Sequence, residues 1–253
     1  GLNWPSMIQK LILGDCLEKM AEIPSGSVDM VLCDLPYGTT ACKWDIIIPL
    51  NQLWQQYNRI IKDNSVIALF SGEPFTSLLI TSNLGGFKYR WDWDKVIPAG
   101  MSYARFRPMQ QSEDICIFTK NGDKSRYYPQ MIKRDIPIKS GGTKKSESAP
   151  IAHKDPNFKK TYDYKNPTTL IKFDKIRRGS LHPTQKPVEL LEYLIKTYSN
   201  EGDLILDNCM GSGTTCLAAK NLGRQFIGIE KEEKYYNIAH KRIFGENDPL
   251  VVI

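Results

Sequence analysis

Long apolar runs are what this chain most lacks. No run of about eighteen apolar residues exists, so no membrane-spanning helix is expected. The opening residues lack the basic start and apolar core of a secretory signal. None of the six cysteines (Cys16, Cys33, Cys42, Cys116, Cys209, Cys216) stands in a C-x-x-C pair, and the three histidines do not cluster. These absences argue against a disulfide framework and a structural zinc site. They lead to the expectation of a reduced, cytoplasmic protein with no metal. No internal repeat is evident. At 253 residues the chain can bury a full core and fits one domain plus an insertion.

Acidic residues are scarce in one region. The stretch 120–180 holds 16 Lys or Arg against 6 Asp or Glu, a net of +10, whereas the whole chain is +6 and the remainder therefore −4. Long apolar runs are rare there and turn formers common, as in Ser140-Gly141-Gly142-Thr143. The aromatics Tyr127, Tyr128, Phe158, Tyr162, Tyr164 and Phe173 are interleaved with the bases. That mixture suits a phosphate backbone and exposed bases. A solvated, partly disordered insertion has the same composition. We therefore divide the chain into a body, 1–119 and 181–253, and a basic insertion, 120–180.

Elsewhere, apolar runs alternate with amphipathic stretches. Strands are expected at 8–13, 28–33, 65–70, 87–93, 114–119, 203–206 and 225–229. Helices are expected at 16–22, 50–62, 74–82, 188–199, 214–222 and 232–244. Such alternation predicts an α/β fold, a mostly parallel sheet with helices on both faces. Residues 87–119 break the rhythm with two strands and no helix, which predicts an antiparallel pair at a sheet edge.

Two motifs end predicted strands. Asp34-Leu35-Pro36-Tyr37 follows the apolar run 28–33. A carboxylate, a backbone carbonyl, a rigid proline and an aromatic ring thus gather where ligands bind in open α/β sheets. Asp34 can accept one N–H of an exocyclic amino group, the Leu35 carbonyl can accept the other, and Tyr37 can stack on the base. A Pro-terminated turn after a strand would read the same way. The second motif is Leu204-Ile205-Leu206-Asp207, then Asn208-Cys209-Met210-Gly211-Ser212-Gly213-Thr214-Thr215 and a helix. Strand, glycine turn and helix are the layout of a nucleotide or nucleoside cradle, though a tight turn in any α/β protein would read the same way, and the next strand ends in Glu230, an acid that can accept hydrogen bonds from ribose hydroxyls. A phosphate loop is excluded because no Gly-Lys-Ser/Thr closes the turn. The dinucleotide pattern lacks its third glycine, Cys216 standing there.

Together these motifs resemble the S-adenosylmethionine-dependent DNA amino-methyltransferases. The catalytic motif precedes the cofactor loop, which resembles the permuted β group of adenine-N6 and cytosine-N4 enzymes. Leu13-Gly14-Asp15-Cys16 and His182-Pro183-Thr184-Gln185-Lys186-Pro187 stand in matching order, so the resemblance covers nearly the whole chain outside the middle. Leu35 departs from the usual first proline. The carbonyl survives, but the turn is less rigid.

The resemblance implies a Rossmann-like methyltransferase fold with a reversed edge hairpin. It implies catalysis by Asp34, Leu35, Pro36 and Tyr37 on a base flipped from double-stranded DNA. It places the cofactor among Asp15, Cys16, Asp34, His182, Thr184, Lys186, Asp207, Gly211, Gly213, Thr214, Thr215 and Glu230. Asp15 also reads as the N-cap of the following helix, and Thr214 and Thr215 as caps. DNA contacts are expected from Lys95, Arg105 and Arg107 in the body. In the insertion, read as the target-recognition region, they are expected from Lys144, Lys145, Lys159, Lys160, Arg177 and Arg178. Trp91 and Trp93 share a strand face and read more readily as core. An Asp-initiated motif goes with adenine N6. Cytosine N4 offers the same amino geometry, and a non-catalytic DNA-binding relative is a reading of another class. A homodimer and a cognate restriction endonuclease are the protein partners the family brings into view.

Overall fold

The computed structural model describes residues 7–38, 46–146, 149–176, 181 and 185–245, with the side chains of 140–160 outside that description. Contacts divide the chain into two compact units, Gly1–Tyr128 with Thr169–Ile253, and Pro129–Thr168.

The larger unit carries one eight-stranded sheet. In chain order its elements are β1 (Gln9–Leu13), α1 (Cys16–Ala21), β2 (Val28–Asp34), α2 (Leu50–Ile60), β3 (Ile61–Ser71), α3 (Phe75–Ser82), β4 (Phe87–Ala99) and β5 (Gln110–Thr119). After β6 (Ile132–Ser146) and β7 (Ala149–Lys165) of the smaller unit come β8 (Leu170–Lys172), α4 (Val188–Tyr198), β9 (Leu204–Asp207), α5 (Thr214–Asn221), β10 (Gln225–Glu230) and α6 (Glu233–Phe244). The sheet order is β1-β10-β9-β2-β3-β5-β4-β8. Pairing is parallel from β1 through β3, then antiparallel between β3 and β5 and between β5 and β4.

Alternation along the strands explains the two faces. Val66, Ala68 and Phe70 of β3, with Ile115 and Ile117 of β5, join one apolar cluster with α4, α5 and α6. Ile67, Leu69, Cys116 and Phe118 point the other way, into a cluster with α1, α2 and α3. The central strands are therefore buried on both faces, which is why they read as continuous apolar runs. Each fully buried aliphatic or aromatic side chain contributes about 1.5–3 kcal/mol. Trp91 and Trp93 are both in the core, their indole N–H groups donating to Tyr198 Oη (2.6 Å) and the Phe173 carbonyl (2.8 Å).

The structure departs from the sequence expectations in several places. The predicted edge pair is not outermost, because the three-residue β8 pairs in parallel with β4. Its register, Asp92 to Leu170 through Asp94 to Lys172, lies inside the stretch read as insertion. The compact smaller unit is thus narrower than 120–180. It is a long antiparallel hairpin of β6 and β7, where sequence showed only a basic, turn-rich stretch. β3 begins at Ile61, inside the expected second helix, and β4 runs on to Ala99. Two bases of 120–180 pair within the larger unit: Arg126 bridges Asp203 (2.8 Å) and Asp29 (3.3 Å), and Lys120 meets Asp63 (3.1 Å). Among the described residues no helix is long and apolar enough to cross a membrane.

Candidate active site

Four parallel strands deliver acids to one edge of the sheet. β1 ends before Asp15, β2 in Asp34, β9 in Asp207 and β10 in Glu230. All four acids line a single cavity of about 330 Å³, together with Leu35, Pro36, Tyr37, Gly211, Thr214, Thr215 and Lys186. Residues at these ends point past the sheet because the backbone ladder stops there, and helices begin again on either face.

At the glycine turn the backbone does the positioning. The Gly211 N–H donates to Glu230 Oε2 at 2.9 Å, and the Glu232 N–H to Oε1 at 2.8 Å. Both carboxylate oxygens are thus held by backbone and each keeps acceptor capacity for a hydroxyl. Burial raises the Glu230 pKa, with these N–H groups opposing the shift. Gly213 stands at φ 77, and a Cβ there would meet Ala239 Cβ at 2.8 Å, so only glycine lets α6 approach this turn. Asp207 is buried at 4% exposure. Burial pushes its carboxyl up to about 7, against hydrogen bonds from the Thr215 hydroxyl and the Cys209 backbone. The Thr214 hydroxyl accepts from Arg242 at 2.8 Å. Asp15 caps α1 by accepting from the Leu17 N–H at 3.0 Å while also lining the cavity. The neighbouring Cys209 and burial raise the Cys16 thiol, and burial pushes the Cys33 thiol up to about 12. The thiols are therefore neutral.

Asp34 anchors a second group of contacts. Its Oδ1 lies 2.9 Å from the Tyr37 hydroxyl and its Oδ2 3.0 Å from Lys186 Nζ. Glu113, near the start of β5, completes the ring: Oε1 lies 2.7 Å from Lys186 Nζ and 3.0 Å from Tyr37 Oη, and Oε2 lies 3.4 Å from Lys95. Withdrawal from water raises the Asp34 pKa; Lys186 opposes this and Glu113 adds to it. Burial works against the Lys186 ammonium, but Asp34 and Glu113 outweigh it and hold its pKa above the ordinary lysine value. The ammonium also sits 5.0 Å from the Phe70 ring centroid. Tyr37 stacks on Phe75 with centroids 5.3 Å apart and an 18° interplanar angle, so one ring face is backed by the core. Leu35 explains its own departure from the family pattern, since its side chain is buried in the α1–α3 cluster.

The structure thus brings together Asp15, Cys16, Asp34, Leu35, Pro36, Tyr37, Lys186, Asp207, Gly211, Thr214, Thr215 and Glu230, with Gly213 as the backbone N-cap of α5. Lys186, assigned to the cofactor side, lines the cavity but pairs with Asp34. Lys95 is turned inward to Glu113, whereas Arg105 and Arg107 are exposed, Arg107 lying 5.2 Å from the Tyr103 ring centroid. Lys144, Lys145, Lys159 and Lys160 fall on β6 and β7, and their side chains lie outside the described residues. His182, Thr184, Arg177 and Arg178 are outside them too. Sequence reasoning missed Glu113, Leu191, Tyr235 and the apolar lip Ile46–Ile47–Ile48. Glu113 could have been found only from topology. It lies near the start of an antiparallel strand, which places it at the same edge as the ends of the parallel ones. Among the described residues no three His, Cys, Asp or Glu side chains converge as metal ligands would.

A parallel sheet with acids at its strand ends, a glycine turn and a second acidic centre beside it define a nucleoside-cofactor transferase of the methyltransferase class. Residues 28–241 match the model of the N6/N4 DNA methylase family, and the chain belongs to this family of S-adenosylmethionine-dependent amino-methyltransferases. It is 26% identical over 263 residues to the Type II methyltransferase M.HpaI of Haemophilus parainfluenzae, covering 95% of this chain and 76% of that one. The crystal structure of the M1.HpyAVI–SAM complex superposes with a TM-score of 0.60 at 25% identity, over 92% of this chain and 98% of the other. The cytosine-N4-specific PvuII DNA methyltransferase shares the fold, with a TM-score of 0.66 at 14% identity over 97% and 90% of the two chains.

Proposed function

We propose that this chain is a site-specific DNA methyltransferase acting on the N6 amino group of a flipped adenine. The observation that carries this reading is Asp34. Its half-buried carboxylate lies in the same cavity as the Glu230 and Asp207 carboxylates, with Tyr37 three residues on and core-backed. S-adenosylmethionine, when bound, supplies an electrophilic methyl group on a positively charged sulfur. The chemistry lining the cavity fits it. Glu230 offers both oxygens to a ribose diol, and Asp207 and the Gly211–Gly213 turn suit the amino-acid end. Asp15 suits the adenine amino group, with apolar Leu191 and Ile48 alongside.

An adenine amino nitrogen is a poor nucleophile because its lone pair is delocalised into the ring. Asp34 and the Leu35 carbonyl each accept one N–H, which favours a pyramidal nitrogen with a localised lone pair. This is positioning and electrostatics, with no covalent enzyme intermediate. Lys186 opposes the burial that raises the Asp34 pKa and so favours the carboxylate for that task. The base must leave the stack to reach the cavity, and Tyr37 receives its face. Adenine is favoured because the motif opens with Asp. The β6–β7 hairpin, rich in lysine, is the target-recognition region and follows the phosphate backbone. A homodimer, a partner endonuclease of the same recognition sequence and a cytoplasmic location belong to the same proposal.

Transfer of tritium from methyl-labelled S-adenosylmethionine into unmethylated DNA of mixed sequence tests it. Incorporation by the wild type and its loss in Asp34→Ala is the expected result. Equal incorporation by both would remove Asp34 from the chemistry.

A further inference from the structure

The oxygens Asp34 Oδ1, Tyr37 Oη and Glu113 Oε1 stand in a row, 2.9 Å and 3.0 Å apart. A phenol carries one proton and an ionised carboxylate none. Tyr37 can therefore donate to only one of its two neighbours. The second contact becomes a hydrogen bond only when one carboxyl is protonated, so the row has a place for one more proton than its resting groups supply. Amino methylation releases one. The nitrogen that takes the methyl group becomes positively charged, and an N–H bond must then break.

We infer that Glu113 is the exit station for this proton, receiving it from Asp34 through the Tyr37 hydroxyl. The steps balance. The N–H bond of the methylated amino group breaks and its proton goes to Asp34, leaving the electron pair on nitrogen. The Asp34 proton then passes to Tyr37 Oη as Tyr37's own proton passes to Glu113 Oε1. Asp34 is again a carboxylate and Tyr37 again a phenol. Glu113 finally gives the proton to water.

Three further features fit this route. Glu113 lines a second cavity of about 230 Å³, with Glu73, Arg90, Asp92, Gln110 and Asp114, so the row leads away from the first cavity towards a polar outlet. Burial raises the Tyr37 hydroxyl well above the ordinary tyrosine range, so the phenol transfers by exchange and not by ionising. Burial disfavours the Glu113 carboxylate, but Lys186 and Lys95 outweigh that and hold its pKa below the usual glutamate value, while that of Asp34 is raised. Glu113 therefore holds a proton less tightly than Asp34 does, so the transfer to it runs uphill and is drawn forward by release to water. Among the described residues, the charged and titratable groups in contact with Glu113 are Lys186 from the segment before α4, Lys95 from β4 and Tyr37 after β2, while Glu73, Arg90, Asp92 and Asp114 share the second cavity with it. Asp34 lies beyond Tyr37.

The inference rests on the methyl-transfer reading, and one experiment separates the two. Single-turnover transfer from labelled S-adenosylmethionine to unmethylated mixed-sequence DNA is followed against pH for the wild type, Glu113→Gln, Glu113→Ala and Tyr37→Phe. We expect Glu113→Gln and Tyr37→Phe to be slowed about 10–100-fold near neutral pH, with the deficit shrinking as pH rises and hydroxide substitutes. Cofactor affinity should stay within about two-fold, because neither group is assigned to the cofactor wall. Added formate should restore part of the Glu113→Ala rate. Wild-type rates and pH profiles in Glu113→Gln and Tyr37→Phe would overturn the relay. So would a loss that is equal at every pH and indifferent to formate, which marks a merely structural role. Absence of transfer by the wild type would instead strike the methyl-transfer reading itself.

Discussion

Lys186 Nζ lies 3.0 Å from Asp34 Oδ2, tying the segment before α4 to the motif that ends β2. The pair is asymmetric in what it costs to break. Lys186 has a second carboxylate, Glu113, at 2.7 Å, whereas Lys186 is the one cation paired with Asp34 among the described residues. Removing the lysine would take away the cation that Asp34 and Glu113 share, and the site would hold a proton where it needs a carboxylate. Lys186→Met should therefore shift the onset of methyl transfer to higher pH, because Asp34, already raised by burial, loses the partner that opposes the rise. A pH–rate profile with an unmoved acidic limb would show that Lys186 does not control Asp34.

Asp34→Ala should abolish transfer and leave cofactor affinity nearly intact, since the proposed mechanism sets Asp34 against the target amino group and assigns the cofactor to Glu230 and Asp207. Calorimetry with S-adenosylmethionine beside a transfer assay separates these outcomes. Near-normal transfer by the variant would sink the mechanism.

Glu230→Ala and Asp207→Ala should weaken cofactor binding by about 1–3 kcal/mol each, because cofactor hydrogen-bonding groups lose their acceptors. Unchanged affinity in both variants would move the cofactor elsewhere.

Asp207 also predicts a pH dependence of stability. Its folded pKa, about 7, is above the unfolded value, so between the two the folded state binds more protons than the unfolded one. That contribution to stability falls as pH rises through this window. Asp207→Asn removes the effect. Relative to the wild type it should gain roughly 2–4 kcal/mol at pH above about 8, with the advantage fading towards about pH 4. Denaturant titrations showing a pH-independent difference would place an ordinary carboxylate pKa on Asp207.

Much of this was legible in the sequence because the central strands are buried on both faces. Val28 to Cys33 and Leu204 to Leu206 could only be core strands, and an acid at each end marks the edge where a ligand binds. Asp34, Asp207 and Glu230 were found that way. Glu113 was not, because its neighbours Gln110, Gln111 and Ser112 are polar, and its value comes from a strand reversal that brings it to Asp34. Lys186 was assigned to the cofactor side from its place in sequence order, and its pairing with Asp34 at the end of β2 comes from packing that the sequence does not show. The β6–β7 hairpin was illegible for another reason. Its described side chains, such as Ile136 and Tyr164, are exposed, so no buried face imposed a period on the sequence.

Replacing Lys144, Lys145, Lys159 and Lys160 together should lower DNA affinity and flatten its dependence on salt, with cofactor binding unaffected. Each phosphate that is no longer neutralised takes close to one counterion out of the slope. A slope identical to that of the wild type would mean that these lysines are solvated and carry no phosphate.

Nucleoside mass spectrometry of DNA methylated by the protein tests the central claim most directly. Unmethylated DNA of mixed sequence is incubated with the protein and S-adenosylmethionine, digested, and both modified nucleosides are sought. The account predicts N6-methyladenine. N4-methylcytosine alone would contradict the adenine assignment while leaving an amino-methyltransferase. Neither nucleoside, with cofactor binding demonstrated on the same preparation, would contradict the claim that this site methylates DNA.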